Sequence, residues 1–382
     1  MRCLFDDFVR QHGQINVEPS THSTQLLHPE KSIVLRSSHK VIPVYVHVVY
    51  RTDEQNLSDS LLTWLFIKTN QELALHRRGH RGIPLIFYPH IETAQIELCP
   101  YEQQSDGRVV LRIRRKKTTI KAIGDVHSGR IFYDSLGGSD AVDPTRYLNI
   151  WIAEMDDYAL GYASFPDMAG APNDGIILNI DYLRRPGALT YKARTLIHEL
   201  GHYLGLCHLA GCASASCDDD DGIDDTPNSD THYAWDICPA APQISCGSED
   251  MFMNYLSLAP DSCILFFTKG QVARMYHTLT ADRASLLRTH CPAPTDVELP
   301  WRDIHLVYSP FQQQLWLQLP YGFDRPVACA IYGMDGRLLA RMRLAAEANP
   351  VSIPVALTPG WYVLHFIDEG QTRSKMFFVP PN

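Results

Sequence analysis

His198-Glu199-Leu200-Gly201-His202-Tyr203-Leu204-Gly205-Leu206-Cys207-His208 is the stretch that decides how this chain is read. Residues four apart on a helix share a face, so the spacing predicts a helix over 190–204 that aims the imidazoles of His198 and His202 at one ion. Glu199, one step round, is placed to polarise a water in a fourth, open position. Gly205 is able to take the left-handed conformation that ends a helix, and the turned chain then returns His208 as a third ligand. Three histidines beside a carboxylate are the donor set of a catalytic zinc site, with Glu199 as its general base and acid.

A second signal follows. In metzincin-type zinc enzymes a tight turn carrying a methionine lies beneath the metal. Asp250-Met251-Phe252-Met253-Asn254-Tyr255 fits such a turn, with Met253 as the turn methionine. Tyr255 is a candidate to hydrogen-bond a tetrahedral intermediate, or else a buried tyrosine satisfying a backbone group.

The chain has 382 residues, 45% of them hydrophobic, enough to bury a large core, and two bodies are expected. Its net charge is −9, which argues against nucleic acid or an anionic membrane as main partner. Six of the eight residues from Asp218 to Asp225 are aspartates, so part of the imbalance is local. No apolar run reaches the ~18–20 residues that a membrane-spanning helix needs. The opening Met1-Arg2-Cys3-Leu4-Phe5 lacks an apolar signal region, whereas ten cysteines argue for disulfides in an oxidising compartment. The cysteines weigh more, and the expectation is a secreted or cell-surface protein whose signal is absent from this sequence or lies upstream.

Residues 1–40 are polar and aperiodic and read as a pro-segment or leader, with a cleavable junction between Arg36 and Val41. A catalytic domain is expected over 41–291. It opens on the β-branched run Val41–Tyr50, followed by a helix over 58–78 and strands over 83–87, 91–99, 147–152 and 175–180, the last as an edge strand bordering the cleft. Pro292–Pro300 is a proline-rich linker. Beyond it, over 301–382, the helical signal vanishes and short alternating segments with Asp335-Gly336 and Glu369-Gly370 turns predict a small β-sandwich. The fold class expected is α+β: a metzincin-like domain of mixed twisted sheet, zinc helix and irregular lower lobe, then the sandwich.

Beyond the zinc motif and the Met253 turn, four stretches carry a family likeness: Ile42-Pro-Val-Tyr-Val-His-Val-Val49, Tyr147-Leu-Asn-Ile-Trp151, Gly161-Tyr-Ala-Ser-Phe-Pro166 and Asp224-Asp225-Thr226-Pro227. Over roughly 41–291 the chain resembles the pappalysin family of metzincin metalloproteases. The resemblance implies proteolysis of protein or peptide substrates, zinc ligation by His198, His202 and His208, and calcium in the loop after the zinc motif. Asp220, Asp221, Asp225 and Thr226 offer the hard oxygen ligands calcium takes. Relatives made as zymogens block the zinc with a pro-segment cysteine, for which Cys3 is the candidate here, without the glycine that usually follows. Members that cut beside Lys or Arg carry an aspartate shortly after the Met turn, and Asp261 is the candidate for that pocket. The C-terminal segment resembles the sorting domain of type IX secretion cargo of Bacteroidetes, through Tyr332-Gly-Met-Asp-Gly-Arg337, Pro359-Gly-Trp-Tyr-Val363 and Lys375-Met-Phe-Phe-Val379. That implies the secretion machinery as partner, with a carbohydrate- or protein-binding module as the other reading.

Cysteine spacing suggests two interleaved disulfides, Cys217 with Cys246 and Cys238 with Cys263, with Cys212 competing for the place of Cys217. Cys3, Cys99, Cys207, Cys291 and Cys329 stay unassigned. A zinc endopeptidase is the leading expectation. A non-catalytic surface-binding protein on the same scaffold and a zinc esterase or amidase are the alternatives.

Overall fold

A computed structural model describes residues 40–75, 82–155, 159–185, 189–212, 216–230, 233, 237–292, 305–310, 312–318, 327–344, 351–368 and 371–380. They form two compact units. One holds the described residues of 40–56, 69–180 and 194–294, the other those of 57–68, 181–193 and 295–382. The expected leader, with Cys3 and the Arg36 junction, lies outside the described residues, as does nearly all of the linker.

Six strands make the central sheet of the first unit: β1 (Lys40–Tyr50), β2 (Ile96–Cys99), β3 (Ile113–Lys117), β4 (Leu148–Ala153), β5 (Gly161–Ala163) and β6 (Gly175–Asn179). The order is β2-β1-β4-β6-β5, with β3 beside the far half of β1. All neighbours are parallel except β5 on β6. A parallel central strand is covered on both faces, which is why successive residues Val41–Val44 and Val46–Val49 of β1 are all buried rather than buried in alternation. On one side Val49, Trp151, Ala153, Tyr162 and Ile177 close a core with Ile123, Ile131 and Phe132.

Among the described residues the α-helices are α1 (Asp59–Ala74), α2 (Ile180–Arg184), α3 (Leu189–Tyr203) and α4 (Lys269–Thr280). Phe267–Thr268, at the entry to α4, pairs with Ile91–Glu92.

Three sequence expectations need correction. The strand at 83–87 is a 3₁₀ turn over Leu85–Phe87, because Pro84 sets its entry and has no N–H to give a ladder. The strand at 91–99 is two pieces, broken at Gln95, whose φ is +50°. The 175–180 segment is not at the edge: β6 lies between β4 and β5, and the edge belongs to the three-residue β5.

In the second unit, two antiparallel sheets share one core. β7 (His305–Ser309), β8 (Gln314–Gln318) and β11 (Val351–Pro354) form the first; β9 (Val327–Gly333), β10 (Leu338–Leu344), β12 (Gly360–Asp368) and β13 (Gln371–Val379) form the second, in the order β10-β9-β12-β13. Leu315, Leu317 and Ile353 meet Ile331, Leu364 and Phe366 between them. No helix among the described residues is long and apolar enough to cross a membrane.

Candidate active site

α3 carries His198 and His202 one turn apart. The helix ends at Gly205, whose φ of +85° is open to glycine at little cost. The Leu206 N–H then closes back on the Gly201 carbonyl at 3.0 Å, a glycine-terminated helix end of the usual kind. His208 follows on the returning chain.

The three imidazoles converge. His198 Nε2 lies 3.1 Å from His202 Nε2 and 3.2 Å from His208 Nε2, and His202 Nε2 is 3.1 Å from His208 Nε2. Tetrahedral ligands at zinc–nitrogen distances of about 2.0–2.1 Å stand about 3.3 Å apart, so the triangle fits one such ion. His198 Nδ1 donates to the Tyr255 carbonyl and His202 Nδ1 to the Leu206 carbonyl, both at 2.7 Å. Those bonds turn the lone pairs of both Nε2 atoms inward, where without a cation they would repel. Burial, with His208 and His198 beside it, holds the His202 pKa well below the ordinary histidine value, so the ring stays neutral and able to ligate. Phe165 stacks on the same ring, centroids 5.8 Å apart.

Glu199 is 1% exposed. Its carboxylate lies against the backbone of β5: a Cβ added at Gly161 would stand 2.6 Å from Glu199 Oε1, 2.7 Å from its Cγ and 2.8 Å from its Cδ. The edge strand and the glutamate share space that only glycine leaves open.

Met253, buried, sits on the turn whose Tyr255 carbonyl holds His198. Asn254 locks that turn, donating to Gln271 Oε1 at 2.7 Å and accepting from the Leu256 N–H at 2.8 Å. The Tyr255 hydroxyl is turned to Glu72 Oε2, 3.4 Å away, and Glu72 also takes the Arg194 Nε–H at 3.0 Å. Asp261 accepts from the Thr195 hydroxyl on the zinc helix, and its own carbonyl accepts from Arg194.

In the acidic loop, Asp221 is buried and receives the Ile223 N–H and the Thr226 hydroxyl. Desolvation pushes its pKa up to about 7, with Asp220 and Asp225 adding repulsion. Asp220 is exposed. Asp225 is used elsewhere: its carboxylate accepts from the Thr268 hydroxyl at 2.6 Å and the Gly270 N–H at 3.1–3.2 Å. An anion at a helix start meets orphan N–H groups and the positive dipole end. The sequence reading of Asp225 as a calcium ligand did not include these further partners, which begin at Thr268, 43 residues on.

Among the described residues four disulfides are present, Cys99–Cys291, Cys207–Cys212, Cys217–Cys246 and Cys238–Cys263, and Cys329 is a free, buried thiol. Sequence reasoning also missed Arg283. Its buried guanidinium donates to Asp174 at 2.6 Å, to the Tyr203 carbonyl at 3.0 Å and to the Phe165 carbonyl at 3.2 Å. No local spacing announces a partner 109 residues away.

Residues 133–280 match the family described as Peptidase_M43, Pregnancy-associated plasma protein-A. An extracellular metalloprotease of Trichophyton verrucosum is 34% identical over 224 residues, 53% of this chain and 80% of that protein. An extracellular metalloprotease of Arthroderma gypseum is 31% identical over 153 residues, 37% of this chain and 51% of that one. The chain thus spans about half the length of several curated relatives it matches. Mature mirolysin of Tannerella forsythia, solved in complex with a cleaved peptide, is 33% identical at a TM-score of 0.55, over 64% of this chain and 94% of that chain.

Proposed function

The chain belongs to the Peptidase_M43 (pappalysin) family of metalloproteases, and on that premise we propose that it is a secreted zinc-dependent endopeptidase. One observation carries the reading: the imidazoles of His198 and His202 on one helix and of His208 just beyond it meet within 3.2 Å of one another, and the same helix carries a buried glutamate. His198, His202 and His208 would hold the zinc, which when bound would lower the pKa of a coordinated water to about 7 and polarise the scissile carbonyl. Glu199 takes the proton that the attacking water gives up and returns it to the leaving amine. β5, with a single neighbouring strand among the described residues, offers its outer edge to an extended substrate, which would add as a further strand. That role passes to β5 from the 175–180 segment. Tyr255, rotated away from Glu72, is proposed to donate to the oxyanion.

Cleavage beside Lys or Arg on the primed side is proposed with Asp261 as the carboxylate, since its side chain is held against the zinc helix at Thr195. Calcium is proposed in the 218–226 loop, where Asp221 is buried among like charges and a divalent cation would supply the missing counter-charge. Latency through Cys3, and export through the C-terminal unit as a sorting sandwich at 301–382, rest on the sequence likeness. Relatives named extracellular metalloproteases support secretion.

The test is a Glu199→Gln variant beside wild type. Wild type should hold one zinc and clear casein, losing activity to a chelator. The variant should hold the zinc and clear nothing. Cleavage by the variant at the wild-type rate would refute the mechanism.

A further inference from the structure

His208 is held differently from its two companions. His198 and His202 ride on α3, where helical hydrogen bonds fix their spacing. His208 stands beyond the Gly205 turn, so its place depends on loop backbone. That loop is a closed ring. Cys207 and Cys212, five residues apart, are bonded to each other and flank the ligand on both sides. Within the ring the Gly211 N–H donates to the His208 carbonyl at 2.9 Å, and the two residues form a lone antiparallel bridge. Gly211 has a φ of +113°, and a Cβ there would run into the Asp219 side chain. From within the ring, the Leu209 N–H reaches out to the Leu256 carbonyl beside the Met turn at a long 3.4 Å.

The ring is unlike the other three disulfides. Those join segments 25, 29 and 192 residues apart and so restrain the unfolded chain as well as tying distant parts of the native one. Loop-closure stabilisation grows with the length of chain enclosed. A bond across five residues encloses the least chain of the four and so stabilises least by this route, and it links no second element. What it does restrict is the backbone on either side of one metal ligand, residues 207–212, most of them buried.

We propose that the Cys207–Cys212 disulfide is a positioning element for His208, whose opening loosens the site's hold on zinc without unfolding the protein. The inference rests on the zinc site proposed above. Breaking the bond by a dithiol would place two electrons on Cys207 and Cys212 as thiols and leave the dithiol as a cyclic disulfide, so zinc retention by the enzyme would follow reducing conditions.

The experiment uses the full chain carrying Cys207→Ser and Cys212→Ser, which opens the ring without offering thiols to the metal. Zinc release into excess chromophoric chelator is followed by absorbance, and the melting temperature of the metal-free protein is taken alongside. Groups that orient a ligand typically matter 10- to 100-fold in metal affinity. Release should therefore be about 10- to 100-fold faster than from wild type, with metal-free melting lowered by no more than about 4 °C. Release at the wild-type rate overturns the proposal. So does a large fall in metal-free melting temperature, which would make the bond a general staple. If the double variant does not fold, Gly211→Ala disturbs the same ring with the disulfide intact and is read by the same rate. A wild type that binds no zinc would sink the reading of the site; one that binds zinc while ring variants keep it equally well would sink only this inference.

Discussion

Gly161→Ala should disarm the site while sparing the fold. The added methyl would meet Glu199 Oε1, Cγ and Cδ at 2.6–2.8 Å, whereas carbon contacts settle near ~3.5–4.0 Å. Something must move by roughly 1 Å. α3 is pinned, since His198 and His202 flank the glutamate and are bonded to the Tyr255 and Leu206 carbonyls. The Glu199 side chain therefore yields. A displacement of that size at the proton-accepting group costs on the order of 100-fold in rate, near 2.7 kcal/mol. Position 161 lies in a β-strand and has no left-handed φ, so alanine itself fits the backbone and stability should change by less than about 1 kcal/mol. The assay is kcat/KM on a quenched fluorescent peptide, with zinc content and melting temperature measured on the same samples. The expected result is a kcat about 100-fold down, zinc and melting unchanged. On a Glu199→Asp background, whose shorter side chain leaves the space clear, Gly161→Ala should cost little more. Full activity in the single variant, or an equal loss on both backgrounds, would refute the steric argument.

Three further outcomes test the frame around the site. His47 is buried between Ser139 and Asn149, and burial draws its pKa down to about 4. The unfolded imidazole titrates near 6.5, so between those values the unfolded chain holds the extra proton; this stability is full above pH 6.5 and lost as pH falls towards 4, worth about 3 kcal/mol. Melting temperature against pH should flatten across that window in His47→Gln, and an unchanged curve counts against it. Removing Cys99–Cys291, which spans 192 residues, should cost up to about 5 kcal/mol by chain entropy and about 10 °C in calorimetry; a drop under about 2 °C contradicts this. Arg283→Met strands a buried Asp174 and should cost about 3–5 kcal/mol in urea denaturation, part of it recovered on adding Asp174→Asn; no recovery would mean that the charge is not the cause.

Legibility in the sequence followed the range of the interaction. The ligand helix was readable because its signal is local: four-residue spacing and a terminating glycine put three histidines on one point. β1 announced itself by its run of Val and Ile. The order of strands did not, since a strand's composition records that it is buried but not which neighbour buries it, and so 175–180 was given the edge that three residues at Gly161 occupy. A strand that short, opening on glycine, carries no periodicity to detect. The ring at Cys207–Cys212 escaped notice because cysteines five apart look like competitors for distant partners rather than partners of each other.

The zinc helix shows why local and distant signals divide the labour. Near its start Arg194 donates to the buried Glu72 of α1 and to the carbonyls of Asp261 and Ser262. At its end the Tyr203 carbonyl receives Arg283, whose other contacts reach Asp174 and Phe165 beside the edge strand. Midway, the Met turn, locked by Asn254 and Gln271, presents the carbonyl that orients His198. The motif thus supplies the atoms of the chemistry, and groups far off in sequence supply their rigidity. Changes in the motif should alter rate at nearly constant stability, and changes at Arg194, Arg283 or Asn254 should alter stability first. Gly161 crosses that division. It lies outside the motif and ligates nothing, yet the space it leaves is what lets the glutamate stand where the reaction needs it.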